Sequence, residues 1–201
     1  RKYILLNSNK VINIQNLNYF NKLINKRSLC KPIAYLTNKK FFWNSNFLVT
    51  SDTLIPRPDT ELIVENVLKL TKQKNKLNIL DIGIGSGCIL LSILKERKNF
   101  QGTGIDISKK CLNISKLNAI TLKVNHRLKL YKTNVDKFNL GKYDLIVSNP
   151  PYIKKFDIKN LDKDVAEFEP KLALDGGLDG LSAIRKVIKK SSELIKKNGK
   201  F

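Results

Sequence analysis

From Leu77 onward, short apolar runs alternate with helical segments, and few architectures accept such a rhythm. Leu77–Ile82 predicts a strand and Cys88–Lys95 a helix. Thr103–Ile107 predicts the second strand and Lys109–Ile120 the next helix. Leu128–Tyr131 and Asp144–Ser148 complete four strands, and Leu178–Lys197 predicts a long helix. Strands separated by helices pair in parallel and are covered on both faces, so the fold class is α/β. The next strand would begin at Gly199-Lys200-Phe201, where the chain stops, leaving the fourth strand as an expected bare edge.

The first 76 residues read differently. Residues 1–30 are polar and helix-like, with Leu17, Phe20, Leu23 and Ile24 at helical spacing. Lys40-Phe41-Phe42-Trp43 and Phe47-Leu48-Val49-Thr50 flank a polar turn, Asn44-Ser45-Asn46, and predict a β-hairpin. The proline-stiffened segment Leu54–Glu61 then runs into a helix expected from about Asp59 to Lys72. The organisation that follows is residues 1–30, the end of a helical domain; 31–58, a hairpin linker; and 59–201, the α/β domain.

Composition narrows the class further. An apolar share of 42% over 201 residues supports a core, and no run of about 18 apolar residues predicts a membrane span. Cys30, Cys88 and Cys111 are odd in number and far apart, and His126 is the only histidine. Neither a disulfide framework nor a metal site is expected. Each cysteine reads as a packing residue in a reduced compartment, the cytoplasm or an organellar matrix. The chain contains no Met and reads as part of a longer protein at both ends. The formal charge of +21 would attract RNA or another acidic partner. The lysines are spread evenly and are not interleaved with aromatics, which favours compositional bias, and no stable nucleic-acid binding is expected.

Two motifs carry chemistry. Asp81-Ile82-Gly83-Ile84-Gly85-Ser86-Gly87 lies where the first strand turns into a helix. Its glycines permit a tight turn and close approach of a ligand to the backbone. Asp106 ends the next strand, where a carboxylate can accept both hydroxyls of a ribose. No Lys for a phosphate sits in the loop. The second motif is Asn149-Pro150-Pro151-Tyr152, directly after the fourth strand. Two prolines remove two backbone donors, which leaves the Asn149 and Pro150 carbonyls free to face a ligand. The Asn149 side chain and those carbonyls offer acceptors for a planar NH2 group, and Tyr152 offers a flat face. An amide and an exocyclic amine both pose that recognition problem.

The G-x-G-x-G spacing resembles the first motif of class I methyltransferases, which bind S-adenosylmethionine. Together with Asp106 and Asn149-Pro150-Pro151-Tyr152, it resembles enzymes that methylate planar amino or amide nitrogens. Two further segments are similar to the HemK family of peptide chain release factor glutamine methyltransferases. They are Leu54-Ile55-Pro56-Arg57-Pro58-Asp59-Thr60-Glu61 and Phe168-Glu169-Pro170 through Leu181. Pro32–Thr37 is similar to the segment before that family's hairpin, so the resemblance covers about residues 30–201. It implies a Rossmann-like class I methyltransferase sheet, incomplete at its C-terminal end; a monomer is expected, although the sequence leaves the oligomeric state open. The implied substrate is the glutamine of the Gly-Gly-Gln motif in a class I release factor.

The implied cofactor residues are Asp81, Gly83, Ile84, Gly85, Ser86, Gly87, Asp106, Asn134, Val135 and Asn149. The implied substrate residues are Asn149, Pro150, Pro151 and Tyr152. Arg57 is open between a substrate or cofactor contact and an ion pair with Asp59 or Glu61. Glu167 and Glu169 read as solvated or capping groups. One departure concerns the end of the third strand. The family often places an acid there for the adenine amine, and this chain has Thr133-Asn134-Val135. Rival readings are an adenine-N6 nucleic-acid methyltransferase, a ribosomal-protein glutamine methyltransferase and a non-catalytic cofactor- or RNA-binding module.

Overall fold

A computed structural model of the chain describes residues 2–201. Helices α1 (Lys2–Leu6) and α2 (Ile14–Ser28) come first. The α2 start is set by Asn13, whose Oδ1 accepts the Asn16 amide at 2.8 Å. The apolar side chains spaced along α2, Leu17, Phe20 and Ile24, remain exposed. The short α3 (Ile33–Thr37) leads to a hairpin of β1 (Lys39–Phe42) and β2 (Ser45–Leu48).

The hairpin turn differs from the expected Asn44-Ser45-Asn46. Phe42 pairs with Ser45, so the turn is the two residues Trp43 and Asn44, with φ of +42° and +54°. Positive φ at both positions matches the right-handed twist of the strands. The Trp43 amide donates to Glu61 Oε1 and its indole N–H to Glu96 Oε1, holding a bulky residue in this conformation. Phe42 and Phe47 end on one face, edge to face at 6.0 Å, and both are fully buried.

A 3-10 turn over Pro58–Thr60 opens α4 (Glu61–Leu70). The alternating region then follows as β3 (Asn78–Ile82), α5 (Cys88–Glu96), β4 (Gln101–Asp106) and α6 (Lys109–Thr121). After these come β5 (Leu128–Lys132), β6 (Tyr143–Ser148), α7 (Lys163–Phe168), α8 (Ser182–Leu194) and β7 (Ile195–Lys200). The larger sheet is ordered β5-β4-β3-β6-β7, and every pair in it is parallel.

β7 corrects two expectations. The last helix ends at Leu194 rather than Lys197, and the following residues pair with β6, so β6 is not an edge. The pairing is irregular: Tyr143 faces Ile195 and Leu145 faces Lys200. Asn198, at φ +67°, and Gly199 take up the excess length. The pairing satisfies β6 backbone groups that would otherwise be stranded beside a buried strand.

Alternation along the strands builds a core on each face. Ile79, Leu145 and Val147 face α4, α5 and the hairpin phenylalanines. Leu80, Ile82 and Ile146 face Val187 and Leu194 of α8. The hairpin is tied in by Asn118 of α6. Its amide donates to Leu48 O at 3.0 Å and Ser86 O at 2.9 Å, and its Oδ1 accepts the Leu48 amide at 2.7 Å. Among the described residues, no helix is long and apolar enough to cross a membrane.

Candidate active site

Strand order reverses between β3 and β6: the chain proceeds outward through β4 and β5, then returns to the other side of β3. In open α/β sheets such a reversal opens a crevice beyond the C-terminal strand ends. A cavity of about 640 Å³ lies there, a size suited to a nucleoside-sized ligand. Its lining draws on the glycine loop, the end of β4, the turn after β5, the corner after β6 and the segment around Arg57.

The glycine loop presents bare backbone. Gly83 and Gly85 have φ of +78° and +54°, and a Cβ on Gly83 would meet no atom within 4 Å. The Gly83 and Ile84 amides both bond the Ile105 carbonyl, which ties the loop to β4. Ser115 Oγ donates to the Gly85 carbonyl at 2.7 Å. At Gly87 the demand is packing as well as φ: a Cβ would lie 2.7 Å from Leu91 Cδ1. Asp106 Oδ2 accepts the Gly85 amide at 3.0 Å, and Oδ1 accepts the Ser108 amide at 2.8 Å. Each oxygen retains a lone pair for a ligand. Burial raises the Asp106 pKa, opposed by those amides.

Asp81 lies beneath the loop, 1% exposed, outside the cavity lining. Neither of its carboxylate oxygens has a hydrogen-bond partner among the described residues. Burial, opposed by the nearby Leu90 backbone N–H, which stands outside hydrogen-bond geometry, and reinforced by Asp106, pushes its pKa up to about 7. Cys88 and Cys111 line the cavity, and burial pushes their thiols up to about 12 and about 11. Such thiols are poor nucleophiles at neutral pH.

At the end of β6, Asn149, Pro150 and Pro151 line the cavity. The Asn149 amide group approaches Thr60 Oγ1 at 3.4 Å. Tyr152 stands outside the lining and is 63% exposed. Its backbone is braced by a glycine-rich segment: a Cβ on Gly176 would come within 2.8 Å of Tyr152 Cα, and one on Gly180 within 2.6 Å of its carbonyl. Neighbouring backbone bonds join Ile153 and Lys155 to Leu174, Gly176 and Gly177. Asn134 and Val135 line the far side. Asn134 Oδ1 is engaged by the Asp136 amide at 3.0 Å, and Val135 packs partly into the core beside Tyr131.

Arg57 pairs with Glu169, not with Asp59 or Glu61. Glu169 is also not solvated: it is buried, and its second oxygen accepts the Ile55 amide at 3.0 Å. Removing that carboxylate from water is offset by the guanidinium and the amide together. This link joins the proline-rich segment before α4 to the loop after α7. Thr60 thereby joins the cavity lining and Glu169 braces it from outside; both lie in the segments that carry the family resemblance, but their roles are not visible there because their partners lie far along the chain.

A family model for the methyltransferase small domain matches residues 58–168. A release factor glutamine methyltransferase of Buchnera aphidicola subsp. Baizongia pistaciae is 40% identical over 195 residues, covering 97% of this chain and 70% of the relative. One from Caulobacter vibrioides is 36% identical over 202 residues, covering all of this chain and 70% of the relative. Among solved structures, the ribosomal protein L11 methylase of Lactobacillus delbrueckii subsp. bulgaricus superposes with a TM-score of 0.51 at 18% identity. That match covers 72% of this chain and 58% of the other, and speaks for the fold. The switch-point cavity, the glycine loop and the Asn-Pro-Pro-Tyr corner thus sit in a chain that belongs to the release factor glutamine methyltransferase family.

Proposed function

We propose that this chain transfers a methyl group from S-adenosylmethionine to the side-chain amide nitrogen of the Gly-Gly-Gln glutamine in a class I peptide chain release factor. The observation that carries this reading is one shared cavity. It is lined by the glycine loop and Asp106 on one side and by Asn149 and Pro150 on the other.

The residues present fit the cofactor. Gly83 and Gly85 leave room for close backbone approach, Asp106 keeps acceptors for ribose hydroxyls, and Val135 offers an apolar face. Ile84, Ser86 and Gly87 hold the loop, and Asp81 supports it from beneath, outside the lining. Asn134 is proposed at the adenine edge, with one lone pair of Oδ1 left after the Asp136 amide. When bound, the cofactor supplies an electrophilic methyl group on a sulfonium.

The protein's own part is alignment. An amide nitrogen is a weak nucleophile because its lone pair is delocalised into the carbonyl. In the proposed geometry Asn149 Oδ1 and the Pro150 carbonyl accept the two N–H groups of the glutamine. That turns the nitrogen toward the methyl and favours the positive charge that develops on it. Orientation of this kind contributes up to about 7–11 kcal/mol in favourable cases. Tyr152 follows the cavity-lining Pro151 and stands outside the lining, so its proposed role as a face for the amide plane requires its ring to turn inward. The product nitrogen gives up its proton readily, so a strong base is not required.

Residues 1–30 are assigned to the end of a helical substrate-recognition domain, 31–58 to a hairpin linker and 59–201 to the methyltransferase domain. The proposed protein is a cytoplasmic or organellar monomer without stable nucleic-acid binding. Its charge of +21 is the one observation that favours the rival, an adenine-N6 methyltransferase. Labelled S-adenosylmethionine offered with a release factor and, separately, with DNA and RNA separates the two. Label in the release factor alone is expected; label in nucleic acid alone overturns the reading.

A further inference from the structure

We propose that Thr60 is a positioning residue that fixes the orientation of the Asn149 carboxamide. This inference rests on the role proposed for Asn149 above. Thr60 is buried, lines the cavity, and places Oγ1 3.4 Å from Asn149 Nδ2. It is the only side chain among the described residues that bonds the Asn149 amide group. Asn149 Oδ1 must stay available to the substrate for the proposed grip. An amide that rotates half a turn presents donors instead, and donors repel an NH2 group. A hydroxyl can either donate or accept. In the structure Thr60 Oγ1 accepts from Asn149 Nδ2, the role that holds Nδ2 away from the reacting nitrogen and leaves Oδ1 to the substrate.

What holds Thr60 in place is also visible. Its amide donates to the Arg57 carbonyl at 3.1 Å, closing the 3-10 turn that Pro58 begins. Arg57 pairs with Glu169, which also accepts the Ile55 amide at 3.0 Å. Glu169 lies on the loop that returns to brace the backbone after Tyr152. The linker and the post-catalytic loop therefore grip the Asn149 corner from both sides, and Thr60 is the point of contact with its side chain.

The test compares Thr60→Val, which keeps shape and loses the hydroxyl, with Thr60→Ser, which keeps the hydroxyl. Thr60→Val is expected to lower kcat roughly 10- to 100-fold, with KM for release factor and cofactor affinity within about threefold of wild type. Thr60→Ser is expected to recover most of kcat. A kcat within about twofold of wild type in Thr60→Val overturns the inference, as does equal loss in both variants, which indicates packing. Thr60→Ala serves in the same comparison if the valine variant does not fold. A second readout needs no substrate. With selectively ¹⁵N-labelled asparagine, the Asn149 side-chain NH2 resonances, assigned by their loss in Asn149→Ala, are expected to shift in Thr60→Val and not in Thr60→Ser. Unmoved resonances overturn the inference whatever the enzyme methylates. A shifted signal with no transfer by wild type overturns the proposed reaction and leaves the contact standing.

Discussion

Asp81 is a carboxylate buried under the glycine loop with no hydrogen-bond partner among the described residues, and that has a measurable consequence. Its pKa rises from 3.8 to about 7 on folding. Between those values the folded state holds a proton that the unfolded state has lost. The unfolded chain therefore binds fewer protons in that window, and stability falls as pH rises from about 4 through about 7. Above that range the cost of the buried charge is fully present. Asp81→Asn removes this contribution. Between about pH 5 and pH 8, urea unfolding is expected to show wild type losing on the order of 1–4 kcal/mol that the variant does not lose. Parallel pH curves for the two proteins would mean that Asp81 is solvated or paired in solution.

At the scale of elements, α6 acts as the clamp between the hairpin and the cofactor loop. Asn118 alone satisfies both backbone groups of Leu48 and the carbonyl of Ser86. Asn118→Ala leaves the buried Ser86 carbonyl and the half-buried Leu48 groups unpaired and is expected to lower unfolding free energy by about 1–3 kcal/mol, read from denaturant midpoints at constant m. A loss below about 0.5 kcal/mol would show that water replaces the side chain at little cost. None of this is visible in the sequence, because an asparagine inside a helical stretch carries no mark of its partners. The strands and helices from β3 to β6 were legible, since period and length report burial directly. The glycine loop and Asn149-Pro150-Pro151 were legible too, because each makes a backbone demand that few residues meet. The hairpin turn was misplaced because polar character alone does not choose between Trp43-Asn44 and the next residues; register does. β7 begins four residues before the expected Gly199 because Lys196-Lys197-Asn198-Gly199-Lys200 joins the sheet through backbone bonds, without the apolar alternation that marks a strand. Glu169 read as solvated because its partners, Ile55 and Arg57, are more than a hundred residues away.

For the whole molecule, the order of strands decides where chemistry happens. Reversal at β3 and β6 brings Asp106 and Asn149 to one cavity, although neither strand end carries a complete site. The exposed apolar residues of α2 and the charge of +21 lie away from that strand-order logic. The central claim is that the Asn149 corner orients a glutamine carboxamide toward a methyl donor held at Asp106. Its most direct test is tandem mass spectrometry of the Gly-Gly-Gln peptide from a release factor after incubation with S-adenosylmethionine and either wild type or Asn149→Ala. The account predicts one methyl group on the glutamine side chain with wild type, and none with Asn149→Ala even though calorimetry shows that variant still binding cofactor. A methylated glutamine at near wild-type yield with Asn149→Ala, or a methyl on any other residue with wild type, would contradict it.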